Sequence, residues 1–464
     1  MRAPTPFVAI LAASLAGLTA CSLTACTFGV PIDLRHGQHG GNASLASGIP
    51  TAPIRRLTQE ELNHSLRDLF TGIDIPVVAI NDADPGNTRI AFEGDAARQT
   101  PSDLVVGQLS SGMVPVAAAA VQNLSLLLPG AALDSVDDQR SAGHAFIASF
   151  LLRALRRPPE QRELDAYTAL FDSNLTAHDL DVALEVFLAA ALQSPSFVYR
   201  IEIGDASAAA PDGQRPVTSY EMASRLSYLL WNTMPDDVLL AAAGNDSLRT
   251  DDEIDAQARR MLGDQRAHDA VISFARQWLD LNRVLVANKD AATFPQWNDE
   301  LRQAMKTETD HLVEDVVFNG GDAKLKTLLT TTKTRVNAEL AAVYGIPAPA
   351  HDWDQVDLPS SQRAGLVTNA AFLSSRAHQV FGSPVLRGVF VLDRFLCEAP
   401  PPPPPNVNTN PPDPGSQPAA TTNRERFAQH ATGTCKGCHD TIDGIGFGLE
   451  GYDAIGQFRT VDNG

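Results

Sequence analysis

Positive charge and aromatic residues are both scarce in this sequence of 464 residues. Lysine and arginine total 36, against 55 aspartate and glutamate residues, so the formal net charge is −19. An acidic surface of this size repels polyanions, which argues against nucleic acid and anionic lipid as partners. Aromatic residues make up only 6% of the chain, whereas alanine and leucine dominate, and that composition favours helix.

The usual sequence signals of enzyme chemistry are also missing. The chain has no Gly-x-Ser-x-Gly, His-Glu-x-x-His or phosphate-loop motif and no repeat of fixed period. The adjacent acids Asp236-Asp237 and Asp251-Asp252 stand at predicted helix starts, where carboxylates usually act as caps. The sequence therefore assigns no reaction. Its length and its 44% of apolar residues indicate about three units with sizeable cores.

The N-terminus carries an export signal. Arg2 precedes an apolar stretch over residues 7–20, the pattern of a secretory signal peptide. Leu-Thr-Ala-Cys occurs twice, ending at Cys21 and at Cys26, and resembles the bacterial lipoprotein box, in which the cysteine is lipidated. We favour Cys21 because it gives the shorter apolar core, with Cys26 as the alternative; an uncleaved membrane anchor remains open. We expect an exported chain that is lipid-anchored in the cell envelope, periplasm or outer membrane, with no other spanning stretch.

Proline marks the main boundary within the chain. Residues 400–418 hold 10 of the 31 prolines, six of them consecutive. Such a run forms a stiff polyproline II spacer. We therefore expect a linker that holds a terminal module off a helical body, and a protease cut between about Asn406 and Thr422 that releases a small C-terminal piece.

Helical periodicity and loop signals set the other boundaries. The fold class is predicted to be mainly α, in several packed helical units, with a capping box at Thr58, a long helix over 297–318 and a short strand from Gln457 to Val461. The expected segments are a lipoprotein signal (1–21), a flexible tether (22–53), an N-terminal helical unit (54–135), a second helical unit (140–205), a central helical domain (206–350), a helical segment before the linker (351–399), the proline-rich linker (400–423), and a small C-terminal segment with a Cys-x-x-Cys-His motif (424–464).

Cys435-Lys436-Gly437-Cys438-His439 is the strongest chemical signal. On a helix Cys435, Cys438 and His439 lie at i, i+3 and i+4 and share one face. Both thiols can then bond the vinyl groups of one haem c while the imidazole binds its iron, in the oxidising compartment that export supplies. A structural zinc site is the alternative, with Cys397 or His430 as fourth ligand; a disulfide or thiol redox pair is another.

The sequence leaves more than one candidate for the second axial iron ligand. Cytochromes c often use methionine, yet no methionine follows Met305. His430 precedes the attachment site closely, and His378 is the better remote candidate. Cys397 is the odd cysteine, expected either to pair elsewhere or to be a buried free thiol. Asp443, Glu450 and Asp453 lie among glycines and could also bind calcium, although capping and turn roles are favoured.

Several short sequence motifs along the chain resemble those of a known family. They are Arg55-Arg56-Leu57-Thr58, Ala154-Leu155-Arg156-Arg157-Pro158, Ser194-Pro195-Ser196-Phe197-Val198-Tyr199-Arg200, Arg225-Leu226-Ser227-Tyr228-Leu229-Leu230-Trp231, Ser383-Pro384-Val385-Leu386-Arg387-Gly388, Cys435-Lys436-Gly437-Cys438-His439 and Tyr452-Asp453-Ala454-Ile455-Gly456. Together they resemble the multidomain "domain of unknown function" proteins, also called planctomycete-specific-domain proteins, of planctomycetes and myxobacteria. That family is linked to c-type cytochromes. The resemblance implies a mostly helical secreted protein and no known reaction.

Two departures from the family pattern stand out. Gly444 replaces a usual proline and is expected to loosen a turn. The chain stops at Gly464, where family members usually continue into one more small domain, and a truncated chain is one interpretation of this end. Two functions follow: a haem protein in electron transfer or as part of an oxidoreductase, with an unidentified redox partner protein, or a non-enzymatic envelope scaffold or binding protein with a structural haem or zinc site.

Overall fold

A computed structural model of the protein describes residues 53–81, 92–96, 99, 101–208, 215–403, 422–428 and 432–462. Helices dominate these ranges, and the sheets found in them are two antiparallel pairs of short strands. The expected mainly α fold is confirmed. The predicted signal, Cys21, Cys26 and His430 lie outside the described residues, as does most of the proline-rich linker.

The described chain forms two compact units. The first comprises the described residues within Met1–Asp82, Thr100–Arg225 and Thr233–Arg249. Its small sheet pairs β1 (Arg55–Arg56) with β2 (Tyr199–Arg200), Arg55 opposite Arg200. Its helices are α1 (Gln59–Leu69), α2 (Asp103–Val121), α3 (Leu124–Leu127), α4 (Val136–Ala154), α5 (Gln161–Ala177), α6 (Leu180–Leu192), α7 (Pro195–Val198), the start of α8 (Ser219–Leu230), and α9 (Asp237–Gly244).

Helix α1 begins at the predicted capping box. The Thr58 backbone N–H donates to Glu61 Oε2 over 2.8 Å, and the Glu61 N–H donates to Thr58 Oγ1 over 3.1 Å. These two bonds satisfy donors that the first helical turn would otherwise leave unpaired. Leu62, Leu66 and Leu69 then recur at helical spacing and are buried. The sequence pattern was sufficient to locate this helix.

Helix α2 differs from the prediction that the chain has no membrane-spanning stretch beyond the N-terminus. By length and hydropathy it qualifies as a helix that can cross a membrane. It packs against α6, and Val105, Met113 and Ala120 on one side are buried. A core helix passes the same test of length and composition, so α2 carries no conclusion about a membrane.

The second unit comprises the described residues within Ala83–Gln99, Leu226–Asn232 and Thr250–Gly464. Its sheet pairs β3 (Lys333–Val336) with β4 (Asp354–Asp357). Its helices are α10 (Asp251–Leu262), α11 (Gln265–Trp278), α12 (Arg283–Val286), α13 (Asp299–Val317), α14 (Leu325–Thr330), α15 (Ala338–Tyr344), α16 (Ala370–Ser375), α17 (Pro384–Arg394), α18 (Asn423–Phe427) and α19 (Lys436–Gly446).

Helix α13 lies at the centre of this second unit. It contacts α11, α12, α15, α16 and β3, and its Leu301, Met305 and Leu312 are buried in the core. Its bounds agree closely with the predicted helix over 297–318. The helix begins after Asn298, whose side chain accepts the Leu301 N–H and so caps the first turn.

The C-terminal segment joins this same core. Tyr452, Ala454 and Ile455 are buried in one hydrophobic cluster with Leu373 and Phe390, which precede the linker. The expectation that the linker holds a terminal module off the helical body was therefore wrong. An apolar face of the terminal segment requires burial, and the nearest cover is the body itself.

The predicted strand from Gln457 to Val461 was also wrong. That stretch makes only an isolated bridge, between Phe458 and Tyr452. Its backbone bends back toward the preceding turn, with the Arg459 N–H donating to the Gly451 carbonyl over 2.8 Å. A single apolar alternation was too short a pattern to distinguish a strand from a turn.

Candidate functional site

The Cys-x-x-Cys-His segment forms the start of α19. A short 3₁₀ turn over Gly433–Cys435 leads into the helix, and Cys435 is its N-terminal flanking residue. Cys435, Cys438 and His439 are each half-buried, and both cysteines are free thiols. Because the three residues follow helical spacing, they share one face of α19. The structure thus brings together the three predicted attachment residues.

Asp443 holds the imidazole of His439. The two side chains are one helical turn apart, and His439 Nδ1 lies 3.0 Å from Asp443 Oδ1. Only 18% of the His439 side chain and 11% of the Asp443 side chain are exposed. A carboxylate only accepts hydrogen bonds, so the ring hydrogen in this bond belongs to Nδ1. Any iron bound by His439 would then be bound through Nε2.

Helix α19 is fixed by a close crossing with α17. A Cβ at Gly446 would lie 1.9 Å from the Pro384 carbonyl oxygen, and one at Gly388 would lie 2.2 Å from that of Ile442. Both positions therefore need glycine, because any side chain would force the two backbones apart. The face of α19 that carries Cys435, Cys438 and His439, here called the Cys-His face, is in this way held at a fixed position on the body.

Arg387 ties α17 to the turn that follows α19. It is fully buried, and its guanidinium donates to the carbonyls of Leu449, Tyr452 and Asp453 over 2.8–3.1 Å. It also donates to the Leu373 carbonyl over 3.1 Å. Burial lowers the pKa of Arg387 to about 10, which still leaves it charged at neutral pH. In the sequence, Arg387 stands out only as part of the segment Ser383-Pro384-Val385-Leu386-Arg387-Gly388 that resembles the family.

His378 lies in a tight turn against the C-terminal segment. Its backbone N–H donates to the Phe381 carbonyl over 2.9 Å. Its ring stacks on Phe427 of α18 with centroids 6.5 Å apart and tilts against Phe381 at 4.8 Å. Burial, followed by the charge of Lys289, lowers the pKa of His378 to about 4. The imidazole is therefore neutral at neutral pH.

Lys289 supports the turn that carries His378. Its ammonium donates to the carbonyls of Ser374 and His378 over 2.9 and 3.0 Å, and more weakly to that of Ala377. Burial, followed by the charge of Arg387, lowers the pKa of Lys289 to about 7. Three carbonyl acceptors favour the charged form of the lysine. Its ammonium therefore caps the C-terminal end of α16 as a cation.

Cys397 and the acidic residues considered for calcium binding do not have the roles predicted for them. Cys397 follows α17 as an exposed free cysteine with φ +57°, so the expectation of a buried thiol was wrong. The acids that suggested calcium have other partners: Glu450 accepts from Asn423, and Asp453 accepts from its own following backbone. Within the described ranges, no group of three or more His, Cys, Asp or Glu side chains is placed to hold an ion.

A second buried polar cluster was missed by sequence analysis. Glu308 of α13 is fully buried and accepts hydrogen bonds from Tyr344 over 2.6 and 2.7 Å and from Thr334 over 2.9 Å. Burial raises the pKa of Glu308 to about 7. Arg363 stacks over the rings of Tyr344 and Tyr452 at 4.5 and 4.8 Å. Apolar periodicity places α13 but gives no signal that one of its buried positions is acidic.

Three family models match the chain, all described as proteins of unknown function. DUF1595 covers residues 143–202, DUF1592 covers 217–346 and DUF1588 covers 363–462. The chain is a multidomain member of these planctomycete-specific-domain families. No curated protein and no solved structure matches it.

The DUF1588 domain contains the candidate site. Its short name, PSCyt3, points to a cytochrome-c-like domain. The match runs from Arg363 across the linker to Asp462, so it includes α17 as well as α19. The domain therefore includes both helices of the crossing that fixes the Cys-His face.

Proposed function

We propose that this protein is a cell-envelope lipoprotein that carries one covalently bound haem c and acts in electron transfer or as part of an oxidoreductase. The observation that carries the proposal is the combination of two free thiols one helical turn apart with a histidine whose Nδ1 is held by a carboxylate. The cytochrome-like name of the matched domain supports it.

The residues present fit a c-type haem. Cys435 and Cys438 supply the two thiols for thioether bonds, and His439 presents Nε2 as the axial ligand. When bound, the haem would supply a one-electron redox centre. The protein's part is to hold the ligand in one tautomer and orientation, through Asp443, and to hold α19 against α17.

His378 is our candidate for the second axial ligand. His378 precedes the linker in sequence. Its ring nevertheless packs against Phe427 of α18, a helix that follows the linker. A neutral imidazole is the form that binds metal, and the lowered pKa of His378 favours that form. The other candidate, His430, lies outside the described residues.

Zinc is less well supported as the occupant of this site. A structural zinc site needs four ligands, whereas the part of the chain that the structure describes offers no group of three or more such side chains placed for one ion. Haem c needs only one iron ligand in this segment because the thiols bond to the macrocycle. The donor set therefore favours haem over a zinc clip.

The lipoprotein part of the proposal rests on the N-terminal sequence. The secretory pattern and the two Leu-Thr-Ala-Cys boxes favour lipidation at Cys21, with Cys26 as the alternative. Export also provides the compartment in which c-type haem is attached, so the two parts of the proposal depend on one localisation. The redox partner protein is not identified by any residue of the chain.

Intact mass and the optical spectrum of protein matured in a host with haem-attachment machinery test the proposal together. We expect a Soret band, a haem mass that survives denaturation, and a diacylated or triacylated N-terminal cysteine. Changing Cys435 and Cys438 to Ser should abolish the covalent haem mass because both thioether bonds are lost. The same change at Cys397 is the matched control and should leave haem attached.

Two results would contradict the proposal. A colourless protein with stoichiometric zinc would identify a structural metal clip and favour the scaffold alternative. A mature chain that starts at Met1, or at an unmodified residue, would remove the lipid anchor while leaving the haem assignment to be judged by its spectrum.

A further inference from the structure

We infer that Asp443 is a positioning residue that sets the reduction potential of the haem at His439. The inference rests on the proposed function, since it concerns the axial ligand of that haem. What it adds is a role for a carboxylate that sequence analysis treated as a cap or turn residue. The role follows from the contact between Nδ1 and Oδ1 described above.

The geometry favours a lasting contact. His439 and Asp443 are at i and i+4 of α19, so helix formation itself places their side chains side by side. Asp443 is 8% exposed, which limits competition from water for its carboxylate. The close crossing of Gly388 with the Ile442 carbonyl holds the adjacent backbone in place. The carboxylate therefore meets the imidazole without a separate conformational step.

The acceptor's charge determines the chemical effect. A hydrogen bond from Nδ1–H to a carboxylate is stronger than one to a neutral oxygen. It shifts electron density toward Nε2 and makes the imidazole a more basic ligand. A more basic axial ligand stabilises ferric over ferrous iron, so Asp443 lowers the potential relative to a neutral acceptor.

A matched control lies on the same helix. Asp440 follows His439 directly, but its carboxylate is 53% exposed and pairs with Lys436 over 2.8 Å. Asp440→Asn removes the same charge near the same histidine without removing its hydrogen bond. A comparison of the two positions thus separates the hydrogen bond from a general electrostatic effect.

The test is redox titration of the full, haem-loaded chain. We expect Asp443→Asn to raise the midpoint potential, and Asp443→Leu to raise it more strongly. A tenfold change in relative ferric stabilisation corresponds to ~59 mV for a one-electron couple. Asp440→Asn should stay close to wild type. Equal potentials for wild type and both Asp443 variants would overturn the inference.

A second measurement needs no haem. In the full chain made without haem attachment and kept reduced, nitrogen NMR of the imidazole reports which ring nitrogen carries hydrogen. We expect Nδ1–H to predominate for His439 in wild type and to lose its predominance in Asp443→Leu. An unchanged tautomer in that variant would contradict the inference. Absence of covalent haem from wild type would refute the proposed function instead, so the two failures are distinguishable.

Discussion

Buried charged residues are stabilised in different ways in this protein. Arg387 keeps its charge because four backbone carbonyls accept from its guanidinium. Among the described residues, Glu308 accepts hydrogen bonds from two hydroxyl groups, and desolvation outweighs these bonds and raises its pKa to about 7. At residue scale, the partner set rather than burial alone decides the charge state.

Glu308 should make stability depend on pH. Its pKa is about 7 in the folded protein and close to 4.5 when unfolded. Between these values the folded state binds more protons, so the free energy of unfolding should fall as pH rises from about 4.5 to 7. The full effect of this group is on the order of 3 kcal/mol. Glu308→Gln should flatten the profile, as measured by urea unfolding across that range.

The control for this prediction is Glu300→Gln on the same helix. Glu300 is exposed in the first turn of α13, so its loss should leave the slope of stability against pH nearly as in wild type. Parallel profiles for Glu308→Gln and wild type would mean that Glu308 is ionised in the folded state.

At element scale, two glycines of α19 have opposite environments. Gly444 is exposed, and a Cβ there would meet nothing within 4 Å. It lies inside the helix, so the expectation that it loosens a turn was wrong. Gly446 faces the Pro384 carbonyl, where a Cβ would lie 1.9 Å away. Packing therefore requires glycine at position 446 but not at position 444.

Alanine substitution should separate these two glycines. Gly444→Ala should stabilise the protein by about 0.5–1 kcal/mol because alanine loses less conformational entropy in a helix. Gly446→Ala should destabilise it by about 1–3 kcal/mol, or more, because α17 must move away. Thermal unfolding of both variants measures the difference. Equal tolerance of the two substitutions would show that α17 and α19 do not approach closely.

Local patterns predicted local elements well. Apolar spacing located α13 to within two residues at each end, and Thr58 was identified as a helix cap. The β3–β4 pair was missed because each strand has four residues and a weak alternation, so only their pairing defines them.

The candidate site was predicted in part. Cys435, Cys438 and His439 follow from spacing alone, since helical geometry places them on one face. The contact between His439 and Asp443 was not predicted, although their i, i+4 spacing on a helix is a signal that could have indicated it. The positions of Arg387 and His378 depend on contacts across more than 45 residues of chain, which no local pattern reports.

At the scale of the whole second unit, the chain returns to its own body after the linker. The core shared by Leu373 and Ile455 replaces the detached module that the proline tract suggested. The boundary in sequence is therefore not a boundary in packing. The DUF1588 match, which continues through the linker, agrees with this arrangement.

A cut in the linker should not release the C-terminal piece. With an engineered protease site within residues 406–417, we expect the cleaved halves to elute together on native gel filtration and to separate in denaturant, since the shared core and Arg387 hold them. Arg387→Met should weaken this association because four buried carbonyls lose their donor. Separation of the cleaved wild-type halves under native conditions would restore the picture of a detached module.

Arg387 also links the folding of the second unit to the order of chain synthesis. Its guanidinium is synthesised before the carbonyls of Leu449, Tyr452 and Asp453, which lie more than 60 residues later in the chain. Until they are present, burying the arginine would leave its charge with the Leu373 carbonyl alone as acceptor, which is strongly unfavourable. We therefore expect the second unit to close only after the segment that carries Cys435 and Cys438 has been made. If the chain is exported and matured as proposed, both thiols would stay accessible for haem attachment during that interval.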